Sequence, residues 1–162
     1  MSRFIVFGVN ETLLDLRALE PHFQRVFGDI AILRTWFSQV LQSDLVATVT
    51  GGYMDFGSIG REILDITSSG LDVDFSADDR AAILGGMLTL PPHPEVPESL
   101  ARLRDAGLSL ATLTNSTERA AKAQLTSADL IGYFECVLSV KAVRRFKPAP
   151  ETYRMAAERL GG

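Results

Sequence analysis

Apolar residues follow two rhythms along this chain. Phe4-Ile5-Val6-Phe7 is a short unbroken apolar run, β-branched and aromatic, closed by Gly8. Runs without alternation suit strands covered on both faces, as in a parallel sheet. The same signature returns at Leu108-Ser109-Leu110-Ala111-Thr112-Leu113 and at Cys136-Val137-Leu138-Ser139-Val140. Between these two, a helix is predicted from Ser116 to Ser127, with Asn115 or Ser116 accepting from its first unpaired N–H groups. A second helix is predicted from Pro97 to Ala106, with Pro at its start and Gly107 past its end. A third begins near Pro150, places Tyr153, Ala156, Ala157 and Leu160 on one face, and stops at Gly161-Gly162.

Strand, helix and strand with short connections predict βαβ units and a parallel sheet. The middle of the chain has a different period. Leu33, Trp36, Phe37, Val40 and Leu41 fall at helical spacings, as do Ile59, Ile63, Leu64 and Ile66, and then Ala81, Leu84 and Leu88. Gly51-Gly52, Ser68-Ser69-Gly70 and Gly85-Gly86 interrupt this pattern, and Pro91-Pro92-His93-Pro94 closes it. The expectation is an α/β core from residues 1–14 and 91–162, carrying a helical insertion at 15–90. Trp36, Phe37, Tyr53 and Phe56 are expected to form the core of that insertion.

Composition narrows the class. A chain of 162 residues holds one domain, or one domain with an insertion, and is long enough to bury a core. The single cysteine, Cys136, excludes a disulfide framework and is expected to pack as a small apolar residue. Against 20 acidic residues stand 16 basic ones, for a net charge of −4, and only Arg144 and Arg145 are adjacent. Such scattered positive charge argues against a nucleic-acid partner. No apolar run reaches membrane-spanning length, and the apolar start is short for a secretory signal. The expectation is a cytoplasmic protein with no membrane partner.

Candidate chemistry gathers after the three strands, where open α/β sheets bind ligands. Gly8-Val9-Asn10-Glu11-Thr12 follows the first, Thr114-Asn115-Ser116 the second, and Arg145-Phe146-Lys147-Pro148 the third. Thr12 and Thr114 offer hydroxyls, Asn115 an amide and Lys147 a positive charge. Helix starts add backbone N–H groups, so a small carboxylate or phosphate is the class of ligand suggested. Thr114, Asn115 and Ser116 also fit a plain helix cap, and Lys147 a plain solvated lysine. His22 and His93 have no partner at the spacing of a catalytic triad or a zinc site.

Three of these segments resemble motifs of the haloacid dehalogenase superfamily. Val6-Phe7-Gly8-Val9-Asn10-Glu11-Thr12-Leu13-Leu14-Asp15 is similar to the first motif, in wording close to the type II 2-haloacid dehalogenases. Leu113-Thr114-Asn115 matches the second. Phe146-Lys147-Pro148-Ala149-Pro150, with Tyr153 after it, matches the third. The helical insertion stands where that family keeps its cap. The resemblance implies a three-layer, Rossmann-like parallel-sheet core with a helical cap.

It also implies a reaction. An aspartate ending the first strand attacks C2 of an L-2-haloacid and expels halide, and water then hydrolyses the ester to the inverted 2-hydroxy acid. Thr12, Thr114, Asn115, Lys147 and Tyr153 would surround the nucleophile and the substrate carboxylate, with Ser116 beside them and Phe56 on the apolar side of the substrate. Phosphatases of the superfamily carry a second aspartate two residues after the nucleophile and hold Mg²⁺. That position here is Asn10, so the resemblance implies no metal and no cofactor, and Mg²⁺-dependent phosphatase chemistry is disfavoured.

The chain departs from the pattern in three places. Gly8 stands at the nucleophile position, and a residue without a side chain cannot form the ester. Phe37 follows Trp36 where the family has a halide-binding arginine, with Gln39 and Arg34 nearby in sequence. The chain also ends at Gly162, before the family's fourth motif, leaving the core C-terminally incomplete and the first strand as a sheet edge that invites a second copy. The expected function is therefore a 2-haloacid dehalogenase-type hydrolase, catalytically impaired as it stands. The alternative is a non-catalytic protein that binds a small anion on the same groups.

Overall fold

The computed structural model describes residues 3–161, and its chain divides into two compact units. One unit takes the chain up to Leu16 and again from Leu88; the other is Arg17–Met87.

In the first unit three parallel strands run in the order β1 (Phe4–Phe7), β2 (Ser109–Thr114) and β3 (Cys136–Ser139). The register pairs Phe7 with Thr112 and Thr112 with Val137. β2 lies in the middle, so its residues from Leu110 to Thr114 are all buried, as the unalternating run requires. Among the described residues β1 has a partner on one side only, and Val6 is 42% exposed. Parallel strands need helical crossovers. Helix Val96–Asp105 packs on β2, and Glu118–Ser127 packs on β3.

Two expectations are corrected in this unit. The helix after β2 starts at Glu118, and its N-cap is Thr117, whose hydroxyl accepts from Ala120 N. Asn115 and Ser116 lie before the cap position, and Asn115 Oδ1 instead accepts from Lys147 N in the loop beyond β3. The last helix, Pro150–Arg159, buries Thr152 and Ala156 and leaves Tyr153 and Ala157 exposed. Thr152 turns inward at little cost, because its hydroxyl donates to Ala149 O. Cys136 is half-buried.

The segments that leave and re-enter this unit are tied together. Asp15 N donates to Pro91 O at 2.8 Å, and His93 N to Leu13 O at 3.0 Å.

The second unit is helical, and its elements are numbered with those above in chain order. α1 is Glu20–Phe27, α2 Ala31–Thr50, α3 Phe56–Gly70 and α4 Ala77–Gly86; the three helices already described are then α5, α6 and α7. Gly28 and Gly51 end α1 and α2 at φ 72° and 79°, the left-handed conformation that glycine adopts without strain. α2 packs on α3, and α1 on α4. Phe23, Trp36 and Phe27 stack at the centre, and Trp36 Nε1 donates to Gly60 O at 2.9 Å.

Here too the apolar stripes differ in detail. In α4 the buried residue is Ile83, followed four residues on by Met87, while Leu88 is exposed. Two stripes one residue apart compete in this sequence, and packing on α1 and α3 selects the other one. Leu41 and Ile66 are exposed, and Ser68-Ser69-Gly70 is the last turn of α3. No helix among the described residues is long and apolar enough to cross a membrane.

Candidate active site

The carboxyl ends of the three strands bring most of the sequence-predicted residues of the first unit together. After β1 the chain turns back tightly. Leu13 N and Leu14 N both donate to Val9 O, at 2.9 and 3.1 Å, with Glu11 held at φ 64° and its Oε1 accepting from Leu16 N. The turn returns Thr12 to Gly8: a Cβ on Gly8 would lie 2.9 Å from Thr12 Oγ1 and 3.6 Å from Lys147 Nζ. The φ of Gly8 lies outside the left-handed region, so the backbone there does not demand glycine. Asn10 Oδ1 accepts from Gln124 Nε2 at 2.9 Å, which fixes the other side of the turn.

At the end of β2, Thr114 Oγ1 accepts from Ser116 N at 3.1 Å. Asn115 Oδ1 accepts from Lys147 N at 3.0 Å, and Ser139 Oγ donates to Ser116 O at 2.6 Å. The loops after β2 and β3 are thus pinned to each other, while the loop after β1 is held by Gln124. Lys147 Nζ donates to Leu113 O at 2.8 Å, and burial lowers its pKa below the ordinary lysine value. Among the described residues it has no carboxylate within ion-pair distance. The arrangement can therefore present the Lys147 ammonium and the Thr12 hydroxyl to an anion lying beside Gly8.

Tyr153 does not join this cluster by any hydrogen bond among the described residues, and its ring is 49% exposed. Phe37, Gln39 and Phe56 belong to the second unit. Phe56 is buried at the start of α3, edge-on to Phe37 with ring centroids 6.2 Å apart, and Gln39 is exposed on α2. Two residues that the sequence did not flag hold the site: Gln124 and Ser139. Gln124 carried a signal, being a polar residue on the buried stripe Ala121, Gln124, Leu125. Ser139 carried none, since it acts on a main-chain oxygen across the sheet. His93 sits nearby, its Nε2 3.2 Å from Glu11 O. Among the described residues, no three His, Cys, Asp or Glu side chains gather as a metal cluster.

Comparison with known proteins places this geometry. The family model for haloacid dehalogenase-like hydrolases matches residues 3–162. The (S)-2-haloacid dehalogenase of Pseudomonas sp. (strain YL) is 29% identical over 159 residues, covering 97% of this chain and 68% of that protein. That of Xanthobacter autotrophicus is 30% identical over 164 residues, covering 99% of this chain and 64% of the relative. The structure of the L-2-haloacid dehalogenase from Xanthobacter autotrophicus with chloropropionic acid covalently bound superimposes with a TM-score of 0.90 at 30% identity, over 100% of this chain and 66% of that one. The chain thus spans about two-thirds of the length of these relatives. With the parallel sheet and the three motif loops at one sheet edge, these matches show that the chain belongs to the haloacid dehalogenase-like hydrolases.

Proposed function

We propose that this chain binds small L-2-halocarboxylates and has the frame of a hydrolytic dehalogenase, with the ester-forming step blocked by glycine at position 8. The observation that carries the reading is the strand-end cluster at Gly8, where Thr12 Oγ1 and Lys147 Nζ lie 2.9 and 3.6 Å from a Cβ built there and Lys147 N donates to Asn115 Oδ1. In this reading Lys147 pairs with the substrate carboxylate, while Thr114 and Asn115 fix the loop that receives it. The chloropropionic acid held covalently in the Xanthobacter structure supports an ester intermediate for the family. Arg17–Met87 takes the place of the family's helical cap. Asn10 leaves no second aspartate to protonate an alkoxide, which favours halide as leaving group over phosphate-ester chemistry.

The direct test is Gly8→Asp. A Cβ there meets only the end of the Thr12 side chain closely, and that hydroxyl can rotate away. Halide release from L-2-chloropropionate is measured in this chain and in a fusion continued with the remaining segment of the Xanthobacter relative. We expect release by G8D and none above background by the Gly8 forms. No halide from either folded G8D protein would overturn the dehalogenase reading.

A second reading, a binding protein without turnover, is favoured by one observation: the Lys147 ammonium has no carboxylate beside it among the described residues. Calorimetry with small carboxylates and phosphate tests it, and absence of binding by the folded chain ends it. A single cysteine in 162 residues fits a reducing cytoplasm. Association as a homodimer belongs to the same proposal, supported by the exposed Leu41, Leu45 and Val49, four residues apart on α2.

A further inference from the structure

At Gly8 the chain has no side chain, while the groups around it suit a carboxylate. Beyond its chain neighbours, the three atoms nearest a Cβ built there are Thr12 Oγ1 at 2.9 Å, Thr12 Cβ at 3.6 Å and Lys147 Nζ at 3.6 Å. Both polar atoms belong to hydrogen-bond donors, and neither is main chain. Thr12 Oγ1 makes no hydrogen bond among the described residues and turns about one bond. Lys147 Nζ gives one of its three N–H groups to Leu113 O, leaving two for a ligand. A partly buried ammonium without a counter-charge is costly, and an anion at this point relieves that cost. Acetate and formate match the fragment by which aspartate exceeds glycine. Formate has the better size, because it stands at van der Waals distance from the main chain instead of being bonded to it.

We infer that a small monocarboxylate from solution, of the formate class, binds beside Gly8 as the counter-ion of Lys147 and acts as the nucleophile in place of a side chain. This rests on the dehalogenase reading. A carboxylate oxygen attacks C2 of the haloacid on the face opposite the halogen. The O–C2 bond forms as the C2–halogen bond breaks, and halide leaves with the electron pair. The product is a 2-acyloxy acid with inverted C2. Water then cleaves its acyl C–O bond, regenerating the carboxylate and releasing the 2-hydroxy acid. No metal or redox partner enters, and the summed charge of reactants and products is the same. The chain would then be a carboxylate-dependent dehalogenase.

The test adds sodium formate to the Gly8 forms of the chain and of the fusion, with L-2-chloropropionate as substrate and sodium chloride replaced by sulfate. We expect halide release to rise about tenfold or more over the formate-free reaction, equivalent to about 1.4 kcal/mol off the barrier, and to saturate with formate. Acetate should act more weakly and benzoate not at all. Formate labelled with heavy oxygen should pass its label to the hydroxyl of the lactate formed. K147M should lose the formate effect, and G8D should release halide with no formate dependence and no label transfer. Formate-independent background in the Gly8 forms alongside an active G8D overturns the inference and leaves the dehalogenase reading standing. Faster release with unlabelled lactate also overturns it, since formate would then only assist water. An inactive G8D together with an unresponsive Gly8 form removes both.

Discussion

Lys147 is held by its ammonium to the Leu113 carbonyl, and burial pulls its pKa down. Its folded pKa therefore lies below the unfolded value of about 10.4. Between those two values the unfolded chain binds more protons, so this group makes stability rise with pH across that window. Anion binding has the opposite slope, since it needs the charged form. Calorimetric titration of 2-chloropropionate against pH should show affinity falling once the lowered pKa is passed, before ordinary lysines deprotonate. K147R keeps its charge throughout and should lose that alkaline fall. An unchanged fall in K147R would place the titrating group elsewhere. Thr112 offers a second test at this scale. It is fully buried in the centre of β2, and its Oγ1 has no hydrogen-bond partner among the described residues. A buried hydroxyl without a partner opposes folding, and valine has nearly the same shape. T112V should raise stability by about 1 kcal/mol in urea unfolding; a loss of that size would mean that the hydroxyl is paired in solution.

At the level of elements, α6 links sheet to site. Its cap is Thr117, so T117A should cost about 1 kcal/mol while T117S keeps most of it, as followed by urea unfolding. Equal stability of T117A and wild type would contradict the cap. The same helix shows what the sequence could and could not disclose. Strands β1 to β3 are legible as unalternating apolar runs, although only β2, in the middle of the sheet, is buried almost throughout. Gly8, Thr12, Thr114 and Asn115 are legible as candidates because they stand at or just after the ends of β1 and β2, and Lys147 because it lies in the loop beyond β3. The cap was not legible. Asn115 and Ser116 have the chemistry for it, yet the helix starts one residue too late for Ser116 to be its cap, and the Asn115 side chain serves Lys147, 32 residues away. Gln124 holds Asn10 across 114 residues, a pairing that no local pattern encodes. The stripes of α4 and α7 failed for a related reason: each helix has two adjacent candidate rows, and only its neighbours decide which is buried.

For the whole molecule the open question is what covers α2. Leu41, Leu45 and Val49 stand four residues apart, all exposed, with Val49 at 86%, and Val46 lies alongside them. From Thr35 to Thr50 the one charged residue is Asp44, which is buried. An exposed apolar row of more than two helical turns without charge is rare on a monomer's surface. A second copy is the occupant that such a row fits. Laid antiparallel about a two-fold axis, the row meets itself, and neither copy brings a like charge to oppose the other. The chain should therefore sediment as a dimer, with a concentration-dependent monomer fraction. L45K and V49K place charges on exposed positions, so each should leave circular dichroism unchanged and shift the equilibrium to monomer. The double variant should do so more completely, because two ammonium groups would face two others across the axis. A wild-type chain that sediments as a monomer at all concentrations would refute this, as would a dimer that persists in the double variant, which would point to the open edge of β1 instead.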